Sequence, residues 1–160
     1  MNTVAIDVIG AGVPLAAAFV YLPRTWRVLD VFTLALYALC IAGTVAFSWC
    51  GPDAVHVAPG PLALVVALWL LRVAGRGRAV PAASVFSLTV IALLPADLYG
   101  ALTCPAQGMA VVGAAGFSDA LLRTPLVLAT LHGAVSYFLE RDEQGSVPVA
   151  DFLRRQLALS

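Results

Sequence analysis

Long apolar runs, nearly free of charge, alternate with short polar connections along almost the whole chain. A run of about 20 apolar residues matches a membrane helix, because a helix rises about 1.5 Å per residue and the hydrocarbon core is about 30 Å thick. Five such runs stand out: Thr3–Leu22, Leu29–Trp49, a short one over Ala58–Ala74, Val80–Leu102, and a long one from about Met109 to Leu139. Lipid offers backbone amides no partner, so an open chain that crosses it has to be helical. The runs are too long, and alternate too little, for barrel strands of about 10 residues. The pattern therefore predicts an all-α polytopic membrane bundle of five transmembrane helices.

The bundle is expected to occupy residues 1–145 as a single domain. Polar residues Glu140 to Gln144 end the fifth helix at Gly145. Residues 146–160 form a cytoplasmic tail. In it, Val149, Phe152, Leu153 and Leu157 fall on one face, and Asp151, Arg154 and Arg155 on the other. That is the pattern of a short amphipathic helix lying on the inner membrane surface, its arginines near lipid phosphates. Rows of small residues mark surfaces for close helix approach: Ala38, Ala42 and Ala46 in the second helix, Gly12 and Ala16 in the first, and Gly113-Ala114-Ala115-Gly116 opening the fifth.

Composition and charge give the bundle a direction. The chain is 61% apolar and 11% charged, too apolar for a soluble domain of 160 residues. All nine basic residues are arginine. Arg24 and Arg27 lie in the first connection, Arg72, Arg76 and Arg78 in the third, and Arg141, Arg154 and Arg155 after the fifth helix. The second and fourth connections have none. Basic connections face the cytoplasm, so the amino terminus is expected outside and the carboxyl terminus inside. Arg123 is the exception. The first run lacks the positive amino-terminal region of a signal peptide. If it lies in the interface instead of crossing, four helices remain with the same orientation. Arginine without lysine and abundant alanine hint at a GC-rich bacterium, and hence at its inner membrane. The expected partners are the bilayer and another membrane protein. A net charge of zero gives no basic patch for nucleic acid.

Cys40 lies mid-helix and reads as a small apolar filler. Cys50 and Cys104 both fall in the arginine-free connections and so share the oxidising compartment. A disulfide between them is one reading; two free thiols or a redox pair are the others. No Cys-x-x-Cys occurs. Asp30 sits at the start of its helix, where a carboxylate complements the helix dipole.

Three more aspartates, Asp7, Asp97 and Asp119, fall in the outer half of the membrane, where a charge is costly and usually faces the bundle interior. Arg123 follows Asp119 by four residues and shares its helical face, which predicts an intrahelical ion pair. A sharper reading makes Asp97, Asp119 and Arg123 walls of an outward-opening polar pocket. A pair of membrane aspartates is also the chemistry of intramembrane aspartyl proteases, where two carboxylates share a proton and a water. Those enzymes pair Tyr-Asp with Gly-x-Gly-Asp. The strings here, Ala96-Asp97-Leu98-Tyr99 and Gly116-Phe117-Ser118-Asp119, depart from them in order and spacing.

His132 and Ser136 share one side of the fifth helix. They read as an interior hydrogen-bonded histidine rather than a proton relay. His56 with Asp53 makes neither a metal site nor a triad. No nucleotide fingerprint or zinc spacing occurs, so no cofactor and no metal are expected. Three functions are open on these grounds. The first is a small non-enzymatic accessory, subunit or immunity-type membrane protein acting through helix packing. The second is a transport or channel component using the Asp/Arg cluster. The third is a membrane hydrolase.

Reporter fusions test the topology. Fusions after Arg78 and after Ser160 are expected to read as cytoplasmic, and fusions near Asp53 and Gln107 as external. A cytoplasmic signal at Asp53 overturns the scheme.

Overall fold

The computed structural model describes residues 4–27, 29–51, 55–56, 80–104, 110–113, 116, 119–144 and 148–157. The described chain is mostly helical. It opens with strand β1 (Val4–Ile6) and a π-helical turn (Val8–Gly12), which runs directly into α1 (Val13–Trp26). Helix α2 (Val31–Phe47) leads into a hairpin of β2 (Trp49–Cys50) and β3 (Val55–His56). Then come α3 (Ala82–Thr103), β4 (Ala110–Val112), α4 (Ala120–Gln144) and α5 (Val149–Gln156). The predicted Ala58–Ala74 helix and Arg72, Arg76 and Arg78 lie outside the described residues.

Helix α3 is the central post, packing against α1, α2 and α4. Val85, Leu88, Val90, Leu93 and Ala96 are all buried, on more than one of its faces. A helix apolar all round belongs in the middle of a bundle, and α3 is one. Its buried hydroxyls need partners. Thr89 donates to Val85 O at 2.7 Å within the helix, and Ser87 donates to Ala18 O at 3.2 Å across to α1. Among the described residues, two helices are long and apolar enough to cross a membrane: Val8–Trp26, with 19 residues, and Ala82–Thr103, with 22.

Several boundaries differ from the sequence expectation. The first run does not begin as a helix, because Val4–Ile6 pairs in parallel with Ala110–Val112. The same pairing removes the start of the fifth run, so α4 begins at Ala120 and not near Met109. Gly113 and Gly116 do not belong to a helical packing row, since their φ values are 79° and 56°. Those are left-handed conformations that glycine adopts without steric cost. In α2 the row Ala38, Ala42 and Ala46 is exposed; Tyr37, Cys40 and Thr44 face the core instead. Cys40 is a buried free cysteine, its Sγ 3.9 Å from Thr44 Oγ1.

The two ends of the bundle are tied differently. At one end a disulfide joins Cys50, just past α2, to Cys104, the C-cap of α3, with their Cα atoms 5.6 Å apart. At the other end α5 folds back onto the bundle. Phe152 is buried and meets Tyr137 of α4 edge-to-face, with ring centroids 5.0 Å apart. Arg155 pairs with Glu140. Gln156 Oε1 accepts the Ala82 N–H at 2.9 Å, capping α3 from a distant segment. The amphipathic tail is therefore docked on protein through Phe152, while Val149, Leu153 and Leu157 of the same face stay exposed, as do Arg154 and Arg155.

The disulfide closes a loop of 54 residues, worth about 4 kcal/mol on a chain-entropy basis. Replacing both Cys50 and Cys104 by alanine should lower stability by about that much in denaturant unfolding. Mass-shift labelling of the native chain should find Cys50 and Cys104 unreactive until reduction, with Cys40 slow throughout. Rapid labelling of either before reduction contradicts the bridge.

Candidate functional site

The aspartates singled out in the sequence lie toward the disulfide end, and each one holds backbone N–H groups. Asp7 is the N-cap of the π-helical turn. Its extended backbone (ψ 133°) lets Oδ1 accept from Ile9 N–H at 3.0 Å and Gly10 N–H at 2.7 Å. Its own N–H continues the β1–β4 ladder to Val112 O at 2.9 Å. Asp97, on α3, reaches the turn just past β4, where Oδ2 accepts from Gly113 N–H at 3.3 Å. Gly113 in turn presses on the π-helical turn. A Cβ on Gly10 would collide with the Gly113 carbonyl, so both positions need glycine. Asp7, Gly10, Gly113 and Asp97 thus form one contiguous unit linking β1, β4 and α3.

Asp119 begins α4. Its Oδ1 accepts from Leu121 N–H at 2.9 Å, and its carbonyl accepts from Arg123 N–H at 2.8 Å. It stands within electrostatic range of Asp97, but no hydrogen bond joins the two carboxylates. The expected Asp119–Arg123 ion pair does not form. Arg123 is exposed, and the Asp119 carboxylate is turned onto the first turn of its own helix. The structure therefore brings Asp7 and Asp97 together through the glycine contact, sets Asp119 nearby, and leaves Arg123 apart.

His132 is half-buried on α4. Its Nε2–H donates to Val80 O at 2.7 Å; a carbonyl only accepts, so that nitrogen carries the proton. Ser136 Oγ lies 3.5 Å from the same nitrogen. The histidine ties α4 to the chain entering α3. His56 stacks on Trp49 at 5.1 Å between centroids, directly across the β2–β3 hairpin; Asp53 lies outside the described residues. Among the described residues, no group of three or more His, Cys, Asp or Glu is placed to hold a metal ion.

One feature was not anticipated from the sequence. A groove of about 640 Å³ runs between α1, α3 and α4, with α5 forming its floor. Ala17 and Tyr21 of α1, Ala83 and Phe86 of α3, and Ala129 and Gly133 of α4 line its walls. Small residues on facing helices hold it open, a signal present in the chain but legible only once the helices are placed. Among the polar side chains at the groove, Gln156 is already bonded to Ala82 N–H.

Comparison of the chain with protein-family models, curated proteins and solved structures finds no match.

If the Asp119 carboxylate is a cap and not half of an ion pair, the 119/123 double-mutant cycle separates the two. Asp119→Ala is expected to cost about 1 kcal/mol, as for a lost N-cap. Arg123→Ala should be close to neutral, with a coupling energy near zero. A coupling of several kcal/mol in denaturant unfolding restores the pair. Asp97→Asn should keep the stability of the parent, because the amide oxygen still accepts from Gly113.

Proposed function

We propose that this chain is a multi-pass protein of a bacterial inner membrane, with five spans, its amino terminus outside and its carboxyl terminus cytoplasmic. In this reading it is a small non-enzymatic accessory, subunit or immunity-type protein that works through helix packing. The observation that carries the reading is the engagement of Asp7, Asp97 and Asp119 with backbone N–H groups at a helix start or turn. Aspartyl hydrolysis needs two carboxylates sharing a proton and a water. A transport pathway needs charges facing a polar cavity. The groove seen among the described residues is mostly apolar and lies toward the other end of the bundle.

The outer surface supports the membrane part of the reading. Phe19 and Val20 on α1, Leu39 and Phe47 on α2, and Leu131 and Val135 on α4 are all more than half exposed. Soluble monomers rarely present such broad apolar surface to water, whereas a bilayer requires it. The tail-end arginines Arg24, Arg27, Arg154 and Arg155 then mark the cytoplasmic side. Short polar connections leave little room for recognition outside the bilayer, so a protein partner is met within the membrane or at its surface.

Two measurements test this. After alkaline carbonate washing, the chain should stay with the membrane pellet; release into the supernatant defeats the membrane reading. In a deletion strain, Asp97→Asn and Asp119→Asn should each complement as the parent does. Loss of complementation by a folded, inserted Asp97→Asn chain would favour a working polar pocket and defeat the non-enzymatic packing role.

A further inference from the structure

We propose that the groove between α1 and α4 is a lipid site, taking one acyl chain of an anionic phospholipid from the cytoplasmic leaflet with its headgroup against Arg24 and Arg154. This inference rests on the membrane reading above. It goes beyond that reading by giving the bundle a specific ligand.

Four observations converge on a lipid. The volume, about 640 Å³, is that of a ligand site, which typically measures about 300–1,000 Å³. The lining is mostly apolar: Tyr21, Thr130, Tyr137 and Gln156 are its polar side chains and present little polar surface, which suits a hydrocarbon chain. The wall on α4 extends from Leu126 to Phe138, about 18 Å along the helix at 1.5 Å per residue. That length is close to the depth of one leaflet, about half of a 30 Å hydrocarbon core. Finally, Leu126, Phe138 and Leu153 line the groove and are exposed, so it opens sideways toward the surrounding phase. A chain can enter from the bilayer without passing through water.

Charge places the headgroup. Ala17 and Tyr21 line the α1 wall, and Arg24 continues the same helical stripe one turn nearer the tail end. It is exposed. On α5, Leu153 faces the groove and the adjoining Arg154 is exposed at the end of the short helix. Among the described residues neither arginine makes an ion pair, whereas Arg155 is paired with Glu140. Two uncompensated arginines at the tail end of an apolar groove match a phosphate above a hydrocarbon chain. Helix α5 serves as the ledge between the two parts.

The test uses the full chain purified in mild detergent, incubated with dioleoyl phosphatidylglycerol or dioleoyl phosphatidylcholine and examined by native mass spectrometry. One phosphatidylglycerol should be retained per chain, in preference to phosphatidylcholine. The double variant Arg24→Gln/Arg154→Gln should lose roughly thirtyfold in phosphatidylglycerol affinity, as expected for two interfacial arginines. Ala129→Phe, which fills the groove, should lower retention of both lipids. Its folding is checked by the protected thiols of Cys50 and Cys104. If Ala129→Phe does not fold, the two surface arginine changes still decide the matter. Equal retention of both lipids by the parent, an unchanged preference in the double variant, or a dimer in place of the lipid adduct each overturns the proposal. Flotation with vesicles separates the two levels: a chain that does not float loses the membrane reading as well, and one that floats but shows no selective adduct loses only the lipid site.

Discussion

A backbone amide that leaves a helix inside an apolar bundle must find another partner, and most of this structure follows from that requirement. An unsatisfied amide in hydrocarbon costs several kcal/mol. The polar side chains are placed where the backbone breaks. Asp7 holds the N–H groups of the π-helical turn, Asp97 holds Gly113 after β4, and Asp119 holds the start of α4. His132 and Gln156 do the same where the chain enters α3, one donating to a carbonyl and the other accepting an N–H. The parallel pair β1–β4 is a further solution, two short non-helical segments satisfying each other. Asp7, Asp97, Asp119 and His132, which a linear reading singles out for chemistry, each hold a backbone group of the scaffold.

The central position of α3 gives these repairs their long range. Its two ends meet quite different neighbours. The C-terminal half carries Asp97 to the β4 turn and Cys104 to the disulfide, while the N-terminal end receives α4 and α5. Hydrogen bonds and the bridge at the ends locate the helix along its axis, which apolar side-chain contacts alone do less sharply. Close packing then fixes the lateral arrangement: Ser87 on Ala18 sets α1, and the glycine contact between Gly10 and Gly113 sets the π-helical turn.

What was legible in the sequence depended on how uniform each segment is. The run Val80–Leu102 is apolar on every face, and its observed helix, Ala82–Thr103, matches it within two residues. The pairing of Cys50 with Cys104 was one of the readings open, because alternation of the arginines put both in one compartment. The strand Ala110–Val112 was not legible. A short apolar run reads equally as helix or strand, and its partner lies a hundred residues away at Val4–Ile6. The Asp119–Arg123 pair failed for a related reason. Spacing of four brings side chains together only when both residues are inside the helix. Asp119 stands one residue before it, where its carboxylate meets N–H groups of the first turn sooner than a guanidinium one turn on.

The tail follows the same logic at the opposite end. Eight residues form too short a helix to hold together in water, so α5 depends on what its apolar face meets. The sequence pattern suggested lipid for that face; in the structure Phe152 meets Tyr137 and Gln156 supplies a carbonyl that the first turn of α3 lacks, while Val149, Leu153 and Leu157 stay exposed. The tail therefore docks on a surface that α3 and α4 build together, since Ala82, Tyr137 and Glu140 belong to those two helices. Once docked, the tail forms the floor of an apolar groove and leaves Arg154 exposed beside it. The floor is then only as rigid as the bundle beneath it, and a change that loosens the α3–α4 contact also opens the groove from below.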